Sequence, residues 1–116
     1  MIGGNTILNL QTRSATTNVI GEHDETWNTV QSITGFIDMM SANSNSTTYN
    51  TKIVDATDVF ITDYVEIATY INHENPDNAR AIVDGRIYDV MYIDDPMMLH
   101  KHLEIFLKYT GGVQNG

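Results

Sequence analysis

Residues 79–93 read ARAIVDGRIYDVMYI, and this stretch decides the fold class. Two apolar runs, Ala79–Val83 and residues 86–93, flank the dipeptide Asp84-Gly85. Asp-Gly between such runs predicts a two-residue type I′ turn, because both central residues of that turn need positive φ. The runs therefore read as two antiparallel strands. Both parities of the second run are apolar, with Ile87, Met91 and Ile93 on one and Tyr88, Val90 and Tyr92 on the other. A strand of that kind is expected to be covered on both sides, by its own core and by a further surface.

Outward from the hairpin, Asp94-Asp95-Pro96 ends the strand, and residues 100–109 alternate again. Leu103, Ile105, Leu107 and Tyr109 are expected inward, and His102, Glu104 and Lys108 outward, with Phe106 an apolar exception. Residues 111–116 read as a frayed tail and residues 1–4 as a loose start. Upstream of the hairpin, residues 66–78 close on the turn cluster His73-Glu74-Asn75-Pro76-Asp77-Asn78. Residues 56–65 predict a strand with Val59, Ile61 and Val65 on one face and Phe60, Thr62 and Tyr64 on the other. Residues 5–13 predict a first strand with Leu8 and Leu10 on one face. Residues 14–24, small, polar and interrupted by Gly21, predict a hairpin loop. Residues 27–37 fit a second strand. Val30, Ile33, Ile37 and Met40 would also share a helical face, but Thr29, Thr34 and Gly35 disfavour a helix.

Residues 41–50, SANSNSTTYN, carry no charge and little apolar area, so they predict a long polar loop spanning about 41–55. The sum is mainly β. It is one small antiparallel barrel or sandwich of about six strands, forming a single domain over residues 1–116.

Composition narrows the function. Fifteen acidic residues against six basic ones leave a net charge of −9. That balance opposes binding to nucleic-acid phosphates and to anionic membranes. The absence of cysteine excludes disulfides, cysteine-bearing zinc sites and thiol catalysis. No signal peptide is expected from the uncharged start Met-Ile-Gly-Gly-Asn, and no apolar run is long enough to span a bilayer.

His100 and His102, two apart, would sit on one strand face and could both reach one metal, with Asp94 and Asp95 close in sequence. No third ligand is specified, so they read more simply as solvated histidines. Glu22, His23, Asp24 and Glu25 form a solvated charge cluster, a poor setting for acid–base work. No phosphate cradle, nucleophile elbow, metalloprotease motif or calcium-loop spacing is present. Trp27 reads as a core anchor. Tyr88 and Tyr92 could stack bases, but the acidic balance favours core or subunit contact. An assembly protein fits better than an enzyme, and no catalytic, metal or cofactor site is expected.

Four pieces in order carry a resemblance. They are Gly21-Glu22 leading to Glu25-Thr26-Trp27-x-x-Val30; Ala56-Thr57-x-Val59-Phe60-Ile61-x-x-Tyr64; Ala81-Ile82-Val83-Asp84-Gly85-Arg86-Ile87-Tyr88-Asp89-Val90; and Ile93-x-Asp95-Pro96 followed by Leu103-Glu104-Ile105. Over roughly residues 22–107 the chain resembles the head–tail joining proteins of long-tailed bacteriophages, the head-completion or stopper family. The resemblance implies a small β-barrel that assembles as a ring under the portal and adaptor proteins, in the neck of the virion. Assembly would begin in the host cytoplasm. The ring would close the DNA channel after packaging and offer a docking surface to the tail-terminator protein. Genomic DNA would pass without sequence-specific binding. Two departures stand out: Asp63 replaces a residue often basic in the family, and residues 65–78 look long.

On this reading the uncharged loop, with Ser41, Asn43, Ser44, Asn45, Ser46, Thr47, Thr48 and Tyr49, is the candidate channel gate. Asp84, Gly85, Arg86, Tyr88 and Tyr92 are the candidate hairpin and subunit contacts. A tail-terminator or other neck or tail ring protein is the alternative. A metal-dependent enzyme using His100 and His102 is the remote one.

Overall fold

The computed structural model describes residues 4–17, 23–39, 55–74 and 76–113. Six strands follow one another: β1 (Thr6–Thr17), β2 (His23–Met39), β3 (Asp58–Asp63), β4 (Ala79–Val83), β5 (Arg86–Asp94) and β6 (His102–Val113). All pairings are antiparallel, and the sheet closes as a barrel in the order β1-β2-β3-β6-β5-β4. The ladder between β1 and β4 closes the ring.

The hairpin at Asp84-Gly85 forms as expected. Asp84 has φ 52° and Gly85 φ 79°, and Val83 pairs directly with Arg86 across the turn. The interior is filled by Leu8, Leu10, Ile33, Phe60, Ala81, Val83, Tyr88, Val90, Ile93, Leu103, Ile105 and Leu107. Of the inward set expected on β6, Leu103, Ile105 and Leu107 are fully buried, whereas Tyr109 lies at the barrel mouth and stays 39% exposed.

Several boundaries and faces differ from the sequence reading. The expected loop at 14–24 is largely strand: β1 continues to Thr17 and β2 starts at His23. Beyond Thr12, β1 pairs with β2 alone, so this hairpin leaves the barrel, and the molecule is 49 Å long but 27 Å across. A two-stranded ladder needs only backbone partners, so polar side chains did not prevent it. Val30 is skipped where the register between β1 and β2 shifts, and it is left outside. That bulge explains why Val30 and Ile33 looked helical in spacing.

A second bulge corrects β5. Val90 pairs with Leu107 and Tyr92 with Phe106, so Met91 is the extra residue. The skip reverses the parity. Ile93 joins Tyr88 and Val90 inside, while Tyr92 turns outward against Phe106, ring centroids 6.5 Å apart. The expected grouping of Ile87, Met91 and Ile93 on one face therefore fails. β3 is shorter than expected, and it buries Phe60 and Thr62 rather than the Val59 and Ile61 parity. The Thr62 hydroxyl donates to the Thr34 carbonyl at 2.8 Å, which satisfies it inside the barrel. β6 runs through the expected frayed tail to Val113 and starts at His102, two residues later than expected.

Candidate functional site

The residues singled out by sequence do not form one site. Asp84, Gly85 and Arg86 lie at one end of the barrel, and Tyr92 lies near the other. Arg86 covers the Tyr109 ring at 5.8 Å, and Tyr109 packs on Tyr88 at 5.4 Å. Tyr88 itself is 4% exposed, and its ring belongs to the core. Burial first, and then Asp58, pushes its hydroxyl pKa up. Ser41, Asn43, Ser44, Asn45, Ser46, Thr47, Thr48 and Tyr49 lie outside the described residues.

The histidine pair separates. His100 sits in the β5–β6 connection with φ 56°, not on the strand. Its backbone N–H donates to Asp95 Oδ1 at 3.0 Å, and its Nδ1 contacts Asp95 Oδ2. His102, on β6, pairs instead with Glu104 at 3.1 Å. The two rings thus serve different carboxylates, and no group of three or more potential ligands is gathered among the described residues.

The Asp95–His100 clamp has a consequence that sequence reading missed. It ties off the turn Pro96–Met98 and presents Met97, Met98 and Leu99 at 87%, 81% and 55% exposure. Met97 and Met98 have φ 57° and 55°. Left-handed backbone costs a residue with a side chain about 1–2 kcal/mol, so the turn persists only because its base is held. Tyr64 supplies more of that base. Its ring lies 4.6 Å from the His100 ring, and its N–H donates to the Lys101 carbonyl at 3.2 Å. The run Pro-Met-Met-Leu after two aspartates was the available signal, since apolar residues in a turn bury nothing of their own.

Acidic groups lie on the Met98 side of this apolar knob. An open cleft of about 400 Å³ beside it is lined by Glu74, Tyr92, Asp94, Asp95 and Met98, among others. Asp94 pairs across the strands with Glu104. Burial, then Glu104 and Asp95, push its carboxyl pKa up, against a smaller opposite pull from His102. A carboxyl raised in this way destabilises the fold when ionised. That penalty is complete above its folded pKa and gone below its unfolded one. Asp94→Asn is therefore expected to raise the melting temperature at pH 7, with the gain shrinking to nothing as the pH falls through the carboxylate range. A melting series from pH 7 to pH 3 checks this, and an unchanged difference across the range would contradict it.

A second cluster lies on the β1–β2–β4 flank. Trp27 is half-buried there rather than in the core, so the core-anchor expectation fails. The Arg80 guanidinium lies 4.4 Å from its ring centroid and that of Arg13 5.9 Å. Arg80 Nε donates to Gln11 Oε1 at 2.8 Å, and Gln11 Nε2 donates to Thr29 Oγ1 at 3.1 Å. Gln11, only 4% exposed, thereby fixes Arg80 over the indole. Burial lowers the Arg80 pKa, but a guanidinium keeps its charge.

Residues 4–109 match the family model described as phage head completion protein. The chain belongs to that family. The match spans all six strands up to Tyr109, including the hairpin, the apolar knob and the Trp27 cluster. The phage head completion chain thus has a structural role in assembling the virion, as the resemblance implied. Solved structures that share its fold include the following two. A Shigella flexneri 2a protein determined in solution has a TM-score of 0.66 at 19% identity, covering 93% of this chain and 94% of that one. A chain from the virion of a native gene transfer agent particle has a TM-score of 0.54 at 14% identity, covering 89% and 91%. No curated protein matches the sequence.

Proposed function

We propose that the protein forms a ring beneath the portal and adaptor, closes the DNA channel after packaging, and presents the surface on which the tail docks. The family match over residues 4–109 carries this reading. The gene transfer agent chain, which comes from a virion, lends it a fold-level parallel. A closed barrel suits the role physically, because strands paired into a ring make a rigid body. The net charge of −9 suits it too, since an anionic channel wall lets DNA slide rather than bind. Barrel and charge together fit a rigid spacer around a polyanion.

Deleting the gene from the phage that carries it and imaging the lysate tests the proposal. Heads that package DNA but leak it, beside finished free tails, are expected. Closed, filled heads beside defective tails would move the protein to the tail-terminator reading. Normal joined particles would defeat both.

A further inference from the structure

We propose that neighbouring copies join by seating the Met97–Met98–Leu99 knob of one on the Trp27 face of the next, with the acidic rim of the knob against Arg13 and Arg80. This inference rests on the ring reading above and names the surfaces that would build it.

The knob is the larger half of the argument. Three consecutive apolar side chains stand exposed on a turn held by Asp95, His100 and Tyr64. The backbone of such a projection is already held, so docking has only its side chains to order. Methionine adapts its shape to the surface it meets. Glu74, Asp94 and Asp95 line the cleft on its Met98 side, together with His73 and His100, so a partner that brings an apolar group and a cation to that side is favoured.

The chain itself carries a half-buried tryptophan held between two cations. It has only six lysines and arginines, yet two of them converge on its single tryptophan. Tryptophan and arginine are the residues that most often dominate the energy of a protein interface. Position agrees with chemistry. In the closed order β1-β2-β3-β6-β5-β4, Arg13 on β1 lies two steps from β5 and three from β6, the strands that the knob connects. Thr12 pairs with Ala79, Arg80 with Asp89, and Asp94 with Glu104, so both surfaces lie toward the same end of the barrel. Two different, complementary surfaces on separate parts of the barrel make a heterologous contact, the kind that closes into a ring by rotation. Copies that each carry a charge of −9 repel in general, and this opposite-sign pair selects the one favourable approach.

The cysteine-free chain makes the test direct. Thr29→Cys and Met98→Cys, combined in one chain that complements the gene deletion, are expected to give a ladder of multiples of 13.0 kDa after oxidation of purified particles. Each single variant should give no species above a dimer. Particles that form in normal numbers without the ladder would overturn the proposal.

A charge exchange decides the matter should the cysteine pair fail to fold. R13E, shown to be folded by circular dichroism, is expected to lower the yield of filled, joined particles about tenfold, and R13E/E74K to restore much of it. A folded R13E that assembles at the normal yield would equally overturn the contact. Absence of the unaltered protein from purified particles would instead defeat the ring reading itself.

Discussion

Phe60→Ala is expected to destabilise the protein by about 3–5 kcal/mol, the usual cost of removing a fully buried aromatic ring. Phe60 is 0% exposed and is the largest fully buried side chain among the described residues. It lies on β3 between Ile37 of β2 and Ile105 of β6, so its ring serves three strands at once. Small domains are stable by only about 5–15 kcal/mol, so this one change would remove a large share. Urea unfolding measures it. The midpoint should fall while the slope stays constant, because the surface exposed on unfolding is hardly altered. A loss below about 1 kcal/mol would mean that the ring is not the centre of the core.

Gly35→Ala is expected to do comparable harm for the opposite reason. Gly35 lies inside β2, where glycine is ordinarily unfavourable. Its place is explained by what a Cβ would meet. That atom would clash with the Ile61 carbonyl oxygen and come within 2.9 Å of Phe60 Cε2. The ring edge could shift, but the carbonyl belongs to the ladder between β2 and β3. The cost should reach the top of the overpacking range, about 3 kcal/mol, and lower the melting temperature by about 10 °C or more. The double variant Phe60→Ala/Gly35→Ala separates the two contacts. Removing the ring leaves the carbonyl clash in place, so the losses should nearly add. Strong rescue would show instead that the ring, not the backbone, forbids the side chain.

The two substitutions also show how legible the chain was. Asp84-Gly85 announced its turn because a type I′ geometry admits few dipeptides. The alternation of Leu103, Ile105 and Leu107 announced a half-buried strand because side chains switch faces at every residue. Both signals are local. The bulges at Val30 and Met91 are not local, since a skipped residue is defined by a partner strand far along the chain. The parity of Tyr92 and Ile93 was therefore misread. His100 and His102 suffered likewise, because a two-residue spacing implies a shared face only if both residues lie in the strand. The candidate assembly surfaces were hidden for the same reason. Arg80 meets Trp27 and Gln11 across 53 and 69 positions of sequence, and only the closure of β1 onto β4 brings them together.

The sequence by itself determined the β class, the central hairpin, most of the inward residues of β6 and, through ordered motifs, the family. These follow from backbone preferences and from the period-two pattern, which act within a few residues. Tertiary structure alone decided the strand order, the two reversals of face, the knob at Met97–Met98–Leu99 and the arginine-flanked tryptophan. Each depends on which strands pair and in what register. That is settled by the packing of the whole barrel around Phe60 and its neighbours, not by any one segment.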